Sequence, residues 1–309
     1  MRRTRILLSI LIILIMSMVT YYVLTHYDET IEYTSKLIKK YTKRSVQVPE
    51  KSVFHRTYTF KTVSETDNFN PKNINDIKKI YYTVLNNGWD SFTFYCDVEY
   101  ESCIDDVRTV ADSSNDEFIS LLNNYVSPYN SYKKYNTLII GDDEVNLTVE
   151  KLYSKEDIEK LNNHVTSYLE RNNIKKGSVT KKDIEKIHDY LLSTITYDKD
   201  YDKNLEEETV SNKATSALFD HIALCSGYTD AFSIFLDKLN IPNFKVNTDD
   251  HEWNAIYYDK KWVHVDVTWD DDEINKNNNR NFFMISTSDL HKKDKKEHSF
   301  NEELFLELK

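Results

Sequence analysis

The chain has 309 residues, room for about two domains of ~150 residues, and its apolar fraction of 40% excludes a wholly disordered protein. Only four glycines and four prolines exclude collagen-like, linker-type and proline-rich architectures. With 40 basic and 51 acidic residues, the formal net charge is −11. This charge argues against nucleic acid as a partner, because a negative surface repels phosphate backbones.

The first predicted element is an apolar segment from Ile6 to Leu24 that carries no charge and is long enough to cross a ~30 Å hydrocarbon layer. The segment runs into Tyr21, Tyr22 and Tyr27 rather than into a small-residue cleavage site, which favours an uncleaved signal anchor. Residues 1–5, with three arginines, are predicted to be a cytoplasmic tail, so the positive-inside rule places the body on the extracytoplasmic side of the cell membrane. The lysines that begin at Lys36 weigh against this orientation, and a cytoplasm-facing enzyme stays as a weaker alternative.

The next two regions are predicted from composition and periodicity. Residues 25–51 are polar and are predicted to form a partly helical stalk. Residues 52–153 are predicted to form a small α/β accessory module, with two helices and three strands over 71–87, 91–100, 115–126, 135–140 and 144–153. Residues 154–309 are taken as one further domain. It opens with two core-facing helices, each preceded by a loose capping box that starts at Ser154 or Thr180.

Three cysteines are too few for a disulfide framework, and one thiol must be unpaired within the chain. Cys96 and Cys103, with six residues between them, could form a disulfide, but the spacing does not compel it. Cys225 directly precedes an amphipathic helical pattern that ends before Pro242. Cys225 is therefore predicted to lie at a helix N-terminus, where free N–H groups and the helix dipole favour the thiolate.

Two strands are predicted after this helix, 251–258 and 262–269, joined by a tight turn at Asp259-Lys260. If Tyr258 pairs with Lys261, His251 and Asp266 lie diagonally on one face, within ~7–8 Å. A loop longer by one residue would move His251 to the wrong face.

A cysteine at a helix start, a histidine on a strand end and a carboxylate on the next strand are what thiol acyl transfer requires. In this hypothesis Cys225 is the nucleophile, His251 moves its proton, and Asp266 orients the imidazole. No cofactor and no metal are needed for that chemistry. Gly227, Tyr228 and Trp253 are candidates for the substrate groove. Gly227 would also let the backbone pack closely at the first helical turn, and Trp253 could equally be a packed aromatic residue.

At these residues the sequence resembles the transglutaminase-like superfamily, in particular its bacterial exported or membrane-anchored members. The resemblance covers about 180–300 and is carried by Cys-x-Gly-Tyr, then His-x-Trp-Asn, then Trp-Val-His-Val-Asp-Val-Thr-Trp-Asp. It implies an α+β fold with a papain-like core, in which the helix carrying the cysteine packs on an antiparallel sheet carrying the histidine and the aspartate. It also implies acyl transfer or amide hydrolysis with Cys225, His251 and Asp266 as the triad.

Plainer interpretations apply to the other candidates. His264, His188 and His221 are interpreted as structural or surface residues, and Trp262 and Trp269 as core. The acidic loop at 198–209 and the run Asp270-Asp271-Asp272 are interpreted as solvated rather than calcium-binding.

Two functions therefore compete. The first is a membrane-tethered cysteine acyltransferase or peptidase that acts on extracellular protein or cell-wall peptides. The second is a non-catalytic surface adhesion or assembly module that uses the same fold as a binding scaffold. The sequence does not predict the oligomeric state.

Overall fold

The computed structural model describes residues 2–41, 44–112, 116–200, 210–271 and 280–309 and shows a mixed helix-and-sheet protein. The α-helices are α1 (Arg2–Thr25), α2 (Tyr27–Tyr41), α3 (Ile74–Asn86), α4 (Cys103–Ala111), α5 (Asp116–Tyr125), α6 (Lys155–Arg171), α7 (Lys181–Thr194), α8 (Cys225–Leu239) and α9 (Thr287–Lys293). The strands are β1 (Ser91–Tyr95), β2 (Tyr132–Ile140), β3 (Glu144–Lys151), β4 (Thr196–Tyr197), β5 (Ile222–Ala223), β6 (Asn243–Asn247), β7 (Glu252–Tyr258), β8 (Lys261–Val265) and β9 (Phe283–Ile285).

The N-terminal helix α1 contains a segment, Ile6–Thr25, that is long and apolar enough to cross a membrane, a property it shares with signal sequences. Its large apolar side chains are exposed, with no protein packed around them. The following helix α2 shows that the predicted stalk is helical over part of its length.

Residues 91–151 form a three-stranded antiparallel sheet in the order β1-β3-β2. Gly141 makes the turn between β2 and β3 with a φ of +64°, a value that glycine adopts without strain. Strand β1 ends at Tyr95, five residues earlier than the sequence predicts, because the next residue, Cys96, is disulfide-bonded to Cys103 at the start of α4. Helix α4 itself was not predicted.

The central sheet has four antiparallel strands in the order β6-β7-β8-β9. Tyr258 pairs with Lys261, and the two turn residues between them both have positive φ, the conformation of a tight type I′ hairpin. The predicted register is therefore confirmed. Alternate residues of β7 face opposite cores, with Trp253 and Ala255 on one side and Ile256 on the other.

Helices α6, α7 and α8 and their buried aliphatic and aromatic residues pack on the Ile256 side of the sheet. The opposite side packs against apolar residues of 60–147 and of the C-terminal segment after β9. Thus residues 60–147 share a continuous core with the sheet, while the boundary at 153/154 stays a prediction. Both predicted capping boxes are present, with Ser154 and Thr180 bonded to the aspartate three residues later.

Candidate functional site

Cys225 is the first residue of α8 and the free cysteine of the chain, since Cys96 and Cys103 are paired. Leu224 precedes it in extended conformation and offers no side-chain cap. Its carbonyl accepts from the N–H groups of Gly227 and Tyr228, so the first turn of the helix is closed by backbone bonds alone. Cys225 as a residue is half-buried. The cysteine therefore lies at the positive end of a fifteen-residue helix.

Gly227 allows α8 to start at this place. A Cβ atom at this position would lie 2.8 Å from the carbonyl oxygen of Ser211 and 2.9 Å from the Cβ of Ala223. Both atoms belong to the chain that leads into the helix, and Leu224 N–H donates to the same Ser211 oxygen at 2.8 Å. The glycine thus lets this approach segment pack directly on the first turn, next to Cys225.

His251 lies one residue before β7, and Asp266 lies one residue after β8, so both flank strand ends rather than lying within strands as predicted. The matched register brings the two ends together, and His251 Nε2 lies 2.5 Å from Asp266 Oδ2. Both side chains are buried. The diagonal juxtaposition expected from the hairpin is therefore present as a direct hydrogen bond.

The electrostatics of this pair favour the charged forms of both groups. Burial alone would lower the pKa of His251, but the charge and hydrogen bond of Asp266, followed by the contact with Cys225, raise it to about 10. Burial acts to raise the pKa of Asp266, and His251 and His298 overcome it and hold that pKa well below its usual range. An imidazolium paired with a carboxylate is therefore expected at neutral pH.

The orientation of the His251 ring follows from these contacts. Nε2 is engaged by Asp266, and the same imidazole has a side-chain hydrogen bond with Cys225. Nδ1 is the nitrogen left to face the sulfur. The structure thus brings together the three residues that the sequence singled out, in the order thiol, imidazole, carboxylate.

His298 was not predicted and completes the surroundings of Asp266. Its Nε2 donates to Asp266 Oδ2 at 2.9 Å, while the backbone N–H of Trp269 donates to Oδ1 at 3.0 Å. His298 is entirely buried, and it follows Asp266 by 32 residues with no local pattern that marks it. Only the fold reveals it.

Two of the predicted groove residues require correction. Tyr228 and Trp253 are 0% and 1% exposed, so neither side chain lines an open groove. Tyr228 O–H donates to Asp271 at 2.5 Å beneath the helix, and the Trp253 ring stacks on His251 with ring centroids 5.5 Å apart. Trp253 therefore supports the imidazole from inside the core. Trp262 and Trp269 pack partly buried against the same core, as expected.

A buried charge cluster fixes α8 against β6 and β7. Lys245 Nζ donates to Asp230 Oδ1 at 3.1 Å and lies 3.6 Å from Glu252, the residue after His251. Tyr153 O–H donates to the other oxygen of Asp230 at 2.7 Å. Thr229 Oγ1 donates to the carbonyl of Glu252 at 3.0 Å. These bonds fix α8, which begins at Cys225, relative to β7, which begins directly after His251.

The acidic run after the hairpin is not solvated as expected. Asp270 and Asp271 are 1% and 4% exposed. Asp270 accepts hydrogen bonds from His188 Nε2 at 3.1 Å and from the backbone N–H of Phe282. Burial is tolerated because each carboxylate has donors, Asp271 accepting from Tyr228. Asp272 and residues 201–209 of the acidic loop lie outside the described residues.

The remaining histidines fit structural roles where they are buried. Burial, with the nearby His298 and His291, lowers the pKa of His264 to about 3, so its Nδ1 is free to accept from Trp253 Nε1 at 3.0 Å. His188 is buried between Asp270 and Phe283. His221 is exposed, with a left-handed backbone before β5.

The donor atoms of His251, Asp266 and His298 lie within 4.8 Å of one another, a set that could hold a metal ion. Ligands of a tetrahedral metal at ~2.0–2.1 Å are about 3.3 Å apart. The 2.5 Å and 2.9 Å separations at Asp266 are shorter and match shared protons. The geometry of this cluster is that of a hydrogen-bond network.

No family model matches the chain, and no curated protein matches its sequence. Among solved structures it is similar to a transglutaminase, with 15% identity and a TM-score of 0.32 over 51% of this chain and 48% of that one. It is also similar to a candidate cysteine protease from Cytophaga hutchinsonii, with 11% identity and a TM-score of 0.26 over 44% of this chain and 61% of that one. The chain thus spans about half to three-fifths of these neighbours. Because these identities and TM-scores are low, the chemistry has to be derived from this chain's own residues.

Proposed function

We propose that the chain is a membrane-tethered thiol acyl-transfer enzyme of the transglutaminase-like kind, with a papain-like core. The observation that carries this proposal is the contact series from Cys225 through His251 to Asp266 at the open end of a helix. A buried imidazolium next to a partly exposed thiol at a helix N-terminus is an arrangement that stabilises a thiolate. A structural cysteine needs neither the imidazole nor the carboxylate behind it.

The residues divide the reaction as follows. The Cys225 thiolate attacks the carbonyl carbon of an amide, and the backbone N–H at the helix start stabilises the oxyanion that forms. His251 gives its proton to the amine as the carbon–nitrogen bond breaks, leaving a thioester on Cys225. A second amine or water then attacks the thioester, His251 takes the proton of that nucleophile, and the sulfur leaves as thiolate. Asp266 keeps the ring aligned and its charge paired throughout.

Two independent features support an extracytoplasmic, membrane-anchored location. The segment Ile6–Thr25 is apolar and long enough to anchor the chain, and the arginines before it favour an extracytoplasmic body. The disulfide between Cys96 and Cys103 is typical of an oxidising compartment. The substrates we propose are therefore extracellular proteins or cell-wall peptides.

Full-length protein in detergent tests this function when it is incubated with glutamine-containing and wall-derived peptides and a fluorescent primary amine. We expect amine incorporation or peptide hydrolysis and a thioester on Cys225, detected by mass spectrometry. Both should be absent in Cys225→Ala, which has no other free thiol to replace the nucleophile. A folded protein that forms no acyl-enzyme with any of these peptides, and a Cys225→Ala strain that retains the biological role, would instead support the adhesion module.

A further inference from the structure

The carboxylate of Asp266 is held by more donors than a Cys-His-Asp series requires. His251 and His298 both donate to Oδ2, at 2.5 Å and 2.9 Å, and Trp269 N–H donates to Oδ1. Rotation of an aspartate about χ2 is broad and has no sharp rotamers of its own. The direction of the carboxylate is therefore set by its hydrogen-bond partners.

The three donors restrain the Asp266 carboxylate in different ways. Trp269 N–H fixes one oxygen from the backbone. His251 is the group to be oriented, so its own bond to Oδ2 would let the two side chains swing together. His298 is then the one side chain among these donors that fixes Oδ2 from a position outside the reacting pair.

His298 is itself rigidly placed. Its ring is fully buried and stacks on Phe282, with centroids 5.1 Å apart and an angle of 14° between the planes. Trp253 packs edge-on against the His298 ring, with centroids 4.8 Å apart. Nδ1 of His298 lies 3.3 Å from Asp294 Oδ2. The same Trp253 ring stacks on His251, so one indole contacts both imidazoles.

From this geometry we propose that His298 is a positioning residue, which aims Oδ2 of Asp266 at His251 and so maintains the imidazolium that faces Cys225. This inference rests on the proposed function, because it concerns the same thiol. The titratable groups around His298 are Asp266 and His251 from the hairpin ends, His264 from β8, and the α9 end with His291 and Asp294.

The test measures the alkylation rate of Cys225 by iodoacetamide at about pH 6 and about pH 9 in the full-length protein in detergent. The disulfide leaves Cys225 as the thiol that reacts. The quantity compared is the rate at the lower pH divided by the rate at the higher pH. In the parent protein this ratio should be well above that of a free thiol, because the imidazolium preserves the thiolate at the lower pH. In His298→Phe, which keeps an aromatic ring but loses the donor, we expect the ratio to fall about tenfold.

Two further variants separate positioning from packing. His298→Gln places an amide N–H near the former Nε2 and should keep the parent ratio within about twofold. His188→Phe removes an equally buried histidine that touches Asp270 rather than Asp266, and it should reduce stability without changing the ratio. If His298→Phe does not fold, His298→Asn gives the same measurement, since its amide is too short to reach Asp266.

Each outcome has one meaning. A His298→Phe or His298→Asn ratio equal to that of the parent contradicts the positioning role alone, as does a His298→Gln ratio as low as that of His298→Phe. A parent protein whose Cys225 has the pH profile of a free thiol contradicts the proposed function, and with it the role of His298.

Discussion

A carboxylate lies near each end of helix α8, and the two carboxylates are held in different ways. At the first turn, Cys225 is partly exposed and the nearby Asp266 is bonded to two histidines. At the last turn, Asp237 is bonded to Arg56, whose guanidinium also donates to Ser233 and Asn243 at 2.9 Å. One carboxylate has partners that can gain and lose protons, and the other has a partner that stays charged.

This difference indicates a division of labour along one element. The Arg56 end has five hydrogen bonds from a buried guanidinium and fixes the helix against β6 and the segment before α3. The Cys225 end has a free thiol, a titratable pair and no side-chain cap. Because the Arg56 end fixes the helix, the Cys225 end can carry groups that serve reactivity rather than stability.

Replacing Asp266 by asparagine should give the largest effect and be confined to the Cys225 end. The amide cannot carry the charge that raises the pKa of His251 to about 10, and its N–H would face Nε2. We expect acyl transfer to fall on the order of 10³-fold or more, with substrate binding little changed. The rates of amine incorporation and peptide hydrolysis measure this loss.

Asp270→Asn is the matched control, since Asp270 is also buried and bonded to a histidine, His188, but belongs to a different pair. This variant should be less stable and still active. Equal loss of activity in both variants would show that any buried carboxylate in this segment matters only for folding.

Replacing Arg56 by methionine should reduce stability and leave activity nearly unchanged. Asp237 would lose its buried cation, and breaking such a pair costs about 3–5 kcal/mol of unfolding free energy. Activity per folded molecule should stay within about twofold, because no substrate group contacts Arg56 in the proposed mechanism. Urea unfolding and the specific activity of the folded fraction measure the two quantities. Adding Asp237→Asn should restore part of the stability, and no restoration would contradict the pairing.

The features that the sequence predicts well are local. The hairpin register follows from a two-residue turn, and both capping boxes follow from a serine or threonine three residues before an aspartate. These patterns involve neighbours along the chain, so the energies that decide them are visible in a short window. The placement of His251 beside Asp266 depended on that register alone.

The features that the sequence did not predict depend on contacts between distant segments. Trp253 lies on the face of β7 opposite Ile256, and that face is buried by residues 60–147, which are distant in the chain. Arg56 meets Asp237 across 181 positions, and His298 meets Asp266 across 32. Asp270 is buried because His188 and the Phe282 N–H donate hydrogen bonds to it, and both lie too far away in the sequence for a local pattern to predict them.

The smallest predicted effect is a dependence of stability on pH that belongs to the Cys225 end. The folded-state pKa of His251 is raised from 6.5 to about 10, so between these values this imidazole is protonated in the folded protein and neutral in the unfolded chain. The stability from this group is complete below pH 6.5 and is lost as the pH rises through about 10. In the proposed thiolate–imidazolium pair, the slope appears above ~8.5, where the cysteine of the unfolded chain is itself ionised. From there to about pH 10 the unfolding free energy should fall by on the order of 1 kcal/mol per pH unit relative to His251→Gln.

Asp266 acts at the other limit, since its lowered pKa gives stability that is present above its ordinary value of 3.8 and is lost as the pH falls. Arg56 does not titrate in either interval, so Arg56→Met should leave the alkaline slope unchanged while lowering the whole curve. Urea unfolding of the parent, His251→Gln and Arg56→Met proteins at several pH values from about 6 to about 10 measures the slopes. An alkaline slope that survives in His251→Gln would assign the titration to another group and remove the electrostatic distinction between the two ends of the helix.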